Sequence, residues 1–125
     1  MMEANKRVEE LIQVLKDPNY EVRANAAWQL GEMGPEARKA VPALIDGLMD
    51  KEWYVRGACA WALGMIGPHA KQAIPGLIRT LKDESRDVRS TTAWALGAIA
   101  RITKEVLTAL SEARKDRSFF VPDSR

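Results

Sequence analysis

The sequence predicts an all-α fold, an α-α superhelix of about three and a half antiparallel helix pairs with a 33-residue period. Three observations predict it. Trp28, Trp61 and Trp94 are spaced at intervals of 33, as are Val22, Val55 and Val88, Arg23, Arg56 and Arg89, Leu30, Leu63 and Leu96, and Asp17, Asp50, Asp83 and Asp116. Gly34-Pro35 and Gly67-Pro68 are helix-stopping pairs at the same place in successive units. Finally, one such unit is too short to bury its own apolar face, so the units must stack into one continuous core.

Each element follows from local signals. The first helix, near 3–16, carries Val8, Leu11, Ile12, Val14 and Leu15, and the second runs near 20–33 to the Gly34-Pro35 stop. A third, near 39–49, opens around Pro42, where a missing N–H is harmless, and breaks at Asp50-Lys51. Helices near 53–66, 73–82 and 86–100 repeat this frame, and a last one is expected near 103–116. That last helix keeps Leu107 and Leu110. It places Ser111 where Ile12, Ile45 and Ile78 stand, and Arg114 where Leu15, Leu48 and Leu81 stand, as a terminal cap does. Ala100-Arg101 replaces the Gly-Pro pair and Thr108 replaces Pro42 and Pro75, so a less sharply defined joint is expected between 99 and 104. The division is one repeat domain, 1–116, and an aromatic tail, 117–125.

The repeated signature is an acidic turn residue, Val-Arg, two small residues and Leu-Gly. It occurs as Asp17, Val22-Arg23, Ala26-Ala27, Leu30-Gly31, as Asp50, Val55-Arg56, Cys59-Ala60, Leu63-Gly64, and as Asp83, Val88-Arg89, Thr92-Ala93, Leu96-Gly97. In this it resembles the HEAT-repeat superfamily, and within it the short repeats of phycobilisome-lyase HEAT-like proteins, over roughly residues 5–116. The resemblance implies a right-handed solenoid with the first helix of each pair on the convex side and the second on the concave side. It also implies that the turn aspartate and the Val-Arg arginine tie neighbouring units together, as Arg23 with Asp50, Arg56 with Asp83 and Arg89 with Asp116. Function does not follow from such a fold. Recurrence points to a structural role for these pairs, since a strut is needed at every joint and an active site once.

A helical wheel sets the tryptophans apart. With Val22 at zero, Ala26, Leu30, Met33 and Gln29 centre on about 30°, whereas Trp28 falls near 240° beside Glu21, Asn25 and Glu32. The matching positions are Tyr54, Ala58, Trp61 and Met65 in the second unit and Asp87, Thr91, Trp94 and Ala98 in the third. Tyr20 and Trp53 start their helices and Arg86 completes that row. The expected binding residues are therefore Tyr20, Glu21, Asn25, Trp28, Glu32, Trp53, Tyr54, Trp61, Met65, Arg86, Asp87 and Trp94. They form a tryptophan-lined groove roughly 20 Å across three helices, beside the small residues Ala24, Gly57 and Ser90. Its expected guest is a protein or peptide with an apolar, helical strip bordered by basic residues. Packing of the rings onto neighbouring helices, or a tryptophan copied along with a near-consensus or engineered repeat, is the alternative.

Catalysis has a poor inventory. The lone histidine, His69, follows a Gly-Pro turn, and the lone cysteine, Cys59, stands at the buried position of Ala26 and Thr92. No catalytic residue, no metal ligand set and no cofactor is expected. The lyase resemblance leaves tetrapyrrole or pigment-protein handling as an alternative, and aromatic groove lining is all that supports it. Nineteen basic and 17 acidic residues give a net charge of +2, and acidic residues flank the aromatics, so nucleic acid is disfavoured as a partner. With no signal-like start and no membrane-length apolar run, a cytoplasmic protein is expected. In the tail, Phe119, Phe120 and Val121 are adjacent and apolar, suited either to covering the last helix or to self-association through the groove of a second copy.

Overall fold

The computed structural model describes residues 2–100 and 104–114. Among these residues seven α-helices follow in order: α1 (Met2–Val14), α2 (Tyr20–Met33), α3 (Val41–Gly47), α4 (Trp53–Ile66), α5 (Ile74–Thr80), α6 (Arg86–Ile99) and α7 (Lys104–Arg114). No strand occurs among the described residues. The pairs are α1 with α2, α3 with α4 and α5 with α6, and the most extensive packing is of α2 on α4 and α4 on α6. This is an α-α solenoid whose second helices form one continuous layer.

The first helices of the second and third pairs are shorter than the sequence predicts over 39–49 and 73–82. Each is led in by a seven-residue 3-10 segment, Gly34–Ala40 and Gly67–Ala73, kinked at Ala37 and Ala70. Proline explains both halves of the arrangement. Pro35 and Pro68 initiate the 3-10 turns, and Pro42 and Pro75 restart the chain as α3 and α5, each at an early position where no intrahelical N–H is needed. Gly34 (φ 61°) and Gly67 (φ 76°) end α2 and α4 with ψ near −140°, a backbone state that side-chain-bearing residues avoid. At the third joint Ala100 is extended (φ −110°, ψ 139°), so α6 stops there without a glycine turn and does not run helically into α7. Residues 101–103 of that joint lie outside the described residues.

Leu30, Leu63 and Leu96 are fully buried, as are Val8, Leu44 and Leu77 of the first helices. Each such side chain contributes about 1.5–3 kcal/mol relative to exposure. Burial extends further round the second helices than a single apolar stripe accounts for. Ala24, Ala27, Ala58, Ala60 and Ala62 are all at 0–1 % exposure. The wheel assigns Ala58 to the solvent face, and the structure corrects this: α4 touches α3, α2 and α6 at once, so little of its circumference is left open. At the C-terminal end Ser111 and Arg114 are exposed, while Ala113 is buried against the core.

Candidate recognition surface and inter-repeat struts

Each turn aspartate has two tasks. Its carboxylate accepts from a backbone N–H two residues on, Asp17 from Asn19 (2.8 Å), Asp50 from Glu52 (3.0 Å) and Asp83 from Ser85 (2.9 Å), fixing the entry to α2, α4 and α6. The arginine of the Val-Arg pair then bridges units. Arg23 donates Nη1 to the Asp17 carbonyl of its own turn (2.8 Å) and Nε and Nη2 to the Asp50 carboxylate of the next (2.8 and 3.0 Å). Arg56 does the same with the Asp50 carbonyl (2.7 Å) and the Asp83 carboxylate (2.7 and 3.1 Å). Arg89 donates to the Asp83 carbonyl (2.6 Å), and its sequence-expected partner Asp116 lies outside the described residues.

These fork-to-carboxylate pairs are mostly shielded from water, with side-chain exposures of 10 % and 13 % for Arg23–Asp50 and 11 % and 9 % for Arg56–Asp83. Hydrogen bonding to Asp50 and Asp83 raises the arginine pKa values. Burial pushes the Asp50 carboxyl up, but the hydrogen bonds from Arg23 and the Glu52 N–H, together with the charges of Arg23 and Arg56, hold that carboxyl below its ordinary value.

The aromatics form two rows. Along the starts of the second helices, Tyr20 (41 % exposed), Trp53 (48 %) and Tyr54 (42 %) cluster edge-to-face, Tyr54 lying 6.4 Å from Tyr20 and 5.7 Å from Trp53 between ring centroids. Arg86 is exposed at the start of α6. About two turns further on run Trp28, Trp61 and Trp94. Trp28 and Trp61 are half-buried with ring centroids 4.4 Å apart, Trp94 is 46 % exposed, and Met65 is 40 % exposed. Glu21, Asn25, Glu32 and Asp87 are exposed on the same helices.

Glycine seats the second row. The six-membered ring of Trp61 lies where a Cβ on Gly31 would stand, and that of Trp94 where a Cβ on Gly64 would stand. The Leu-Gly element of each of the first two units thus receives the tryptophan of the next. The tryptophans pack as well as face solvent, a combination that a wheel drawn for one helix cannot display. The small residues expected to leave room beside them are partly spent on this stacking. Ala24 is fully buried, and a Cβ on Gly57 would meet Val88 at 3.9 Å.

The surface is open rather than a pocket. Two concavities among the described residues lie elsewhere: one of about 490 Å³ lined by Ala4, Asn5, Pro35, Glu36, Arg38 and Lys39, and one of about 140 Å³ reaching Ile12, Ala43, Gly47, Val55 and Cys59. Cys59 is fully buried with its Sγ against Gly47, and burial pushes its thiol up to about 12. His69 is exposed. In the third unit the places of Gly47 and Cys59 belong to Thr80 and Thr92, whose buried hydroxyls hydrogen-bond at 2.9 Å, a contact that residue spacing alone did not reveal. Among the described residues no three His, Cys, Asp or Glu side chains converge as a metal site, and no helix is long and apolar enough to cross a membrane.

Comparison with known proteins agrees with this architecture. Residues 8–74 match the family of HEAT repeats and residues 66–99 a HEAT-like repeat, with nothing that points to the lyase branch. Curated protein sequences yield no match. Among solved structures, an engineered protein superposes with a TM-score of 0.68 at 26 % identity, over 86 % of this chain and 51 % of its own. A second engineered protein gives 0.66 at 27 % identity, over 86 % of this chain and 30 % of its own. A designed armadillo repeat protein in complex with the peptide (KR)4 gives 0.66 at 24 % identity, over 90 % and 56 %. The chain spans about half the length of the first of these, or less for the second. With the repeat-family match covering more than half of the sequence and the stacked helix pairs to account for it, the chain belongs to the HEAT-repeat family.

Proposed function

We propose that the chain is a non-enzymatic scaffold that binds a protein or peptide segment across the second-helix layer. The observation that supports this reading is the run of large apolar side chains left exposed on α2, α4 and α6. Tyr20, Trp53, Tyr54, Met65 and Trp94 are each 40–48 % exposed, whereas Leu30, Leu44, Leu63, Leu77 and Leu96 are fully buried. Preassembled edge-to-face rings lose little entropy on binding and suit an interface centre. Glu21, Glu32 and Asp87 border them, which favours a guest with an apolar, helical strip flanked by lysine or arginine and disfavours nucleic acid. Burying three or four such anchors is compatible with a Kd of about 1 μM or tighter. No observation favours tetrapyrrole handling.

The test uses a synthetic amphipathic peptide with leucines on one helical face and lysines at its borders, titrated against the tryptophan fluorescence of the full chain. Trp53→Ala with Tyr54→Ala removes exposed rings that seat on no glycine. This variant is expected to keep its helical circular dichroism and weaken binding at least about tenfold, the equivalent of 1.4 kcal/mol. Unchanged affinity in a folded variant would remove this surface as the binding site. Saturable binding of a poly-anion in preference to the basic peptide would remove the proposed partner chemistry.

A further inference from the structure

The two joints between successive first helices are not alike. At the joint of α3 and α5 the seam is closed: Leu48, Gly76 and Thr80 are buried, and a Cβ added to Gly76 would meet Leu48 Cδ1 at 3.2 Å and Ile45 Cγ2 at 3.8 Å. The Thr80 and Thr92 hydroxyls join across it at 2.9 Å. At the joint of α1 and α3 the residues 33 positions earlier, Leu15, Ala43 and Gly47, are each half-buried. They line the concavity of about 140 Å³.

The lining decides what this space accepts. Ile12, Leu15, Ala43, Gly47 and Val55 bring no polar side-chain atom to it, and the fully buried Cys59 adds only a weakly polar sulfur. Asp50 lines it too, but its carboxylate already accepts from Arg23 Nε and Nη2 and from the Glu52 N–H, so it has little left to offer a guest. Lys16 and Asp46 are exposed and keep their charges in water. A charged guest would lose its hydration here without a partner in return, whereas an uncharged apolar one loses nothing by leaving water.

We propose that the α1–α3 joint is a binding site for a small uncharged apolar molecule of about six carbon atoms, since an apolar cavity of roughly 150 Å³ is enough for one benzene ring. The guest is held among Ile12, Leu15, Ala43 and Val55, and the half-buried walls give it a way in without unfolding. None of the lining residues belongs to the aromatic rows of the second helices or to the tail of Phe119, Phe120 and Val121, which lies outside the described residues. Occupancy closes the first joint as side chains close the second, and binding to the folded state alone stabilises it.

Benzene is the probe, and benzoate, the same ring carrying a charge, is its control. The full chain, labelled at its isoleucine, leucine and valine methyl groups, is titrated with each and followed by NMR, with thermal unfolding recorded alongside. Benzene is expected to shift the Ile12, Leu15 and Val55 methyl resonances saturably and to raise Tm, and benzoate to bind at least about tenfold more weakly. Ala43→Leu fills the joint from α3 and is expected to weaken benzene binding at least about tenfold. Leu15→Phe fills it from the other side and takes its place should Ala43→Leu lose its helical circular dichroism. No saturable shift at these methyl groups in wild type up to the solubility of benzene, equal affinity for benzoate, or undiminished benzene binding in a folded, filled variant would each overturn the proposal.

Discussion

The Trp61 ring occupies the space that a Cβ on Gly31 would fill, and Trp94 stands in the same relation to Gly64. The glycine of the Leu-Gly element is therefore a seat, and its occupant is the tryptophan of the following unit. Gly97 has the same place in the repeat, and among the described residues it has no occupant within 4 Å.

That difference predicts opposite signs for one substitution. Gly31→Ala and Gly64→Ala force an aromatic ring off its seat and are expected to destabilise by about 1–3 kcal/mol. Gly97→Ala adds a methyl group to open space within a helix and is expected to stabilise by about 0.5–1 kcal/mol. Chemical denaturation of the three variants measures this directly, and a loss of stability in Gly97→Ala would show that its seat is filled.

Removing one end of a shielded strut leaves the other charge without its partner. Arg56→Ala is expected to lower stability by about 2–4 kcal/mol, below the upper range for fully buried pairs because about a tenth of each side chain still meets solvent. The melting temperature should fall by several degrees. In a double-mutant cycle with Asp83→Ala the two losses should be well short of additive, and full additivity would count against a shared strut.

Acid should release the Asp50 strut. Because its carboxyl is held below the ordinary value, chiefly by the Arg23 hydrogen bond working against burial, its contribution is complete above the unfolded-state pKa of about 3.9 and is lost as pH falls through the lower folded value. Wild type is expected to lose stability through that acid window. Asp50→Asn, already weaker at neutral pH, should show a smaller decrease there.

Cys59 should be silent until the fold opens. With its thiol fully buried and pushed up to about 12, reaction with a thiol reagent at pH 8 is expected to require opening of the α3–α4 interface and to be at least about a hundredfold slower than in denaturant. Labelling under native conditions as fast as in denaturant would show that the thiol is reachable in the folded state.

Repetition made much of this molecule legible. A period of 33 residues, Gly-Pro stops and early prolines were enough to place the second helices at 20–33 and 53–66, and the HEAT-repeat resemblance implied the Arg23–Asp50 and Arg56–Asp83 pairs that the structure brings within hydrogen-bonding distance. These features are local or recur at a constant offset, so a linear sequence displays them. The 3-10 lead-ins at 34–40 and 67–73 were less visible, since both a 3-10 turn and an α-helix accept proline near their start. The tertiary structure decided what spacing could not: which sides of α4 are covered when three helices pack on it, why Ala58 is buried, and how a tryptophan drawn on the polar side of one wheel comes to rest on a glycine of the neighbouring unit. A wheel describes one helix in isolation, whereas burial in a stacked array is set by the helix before and the helix after.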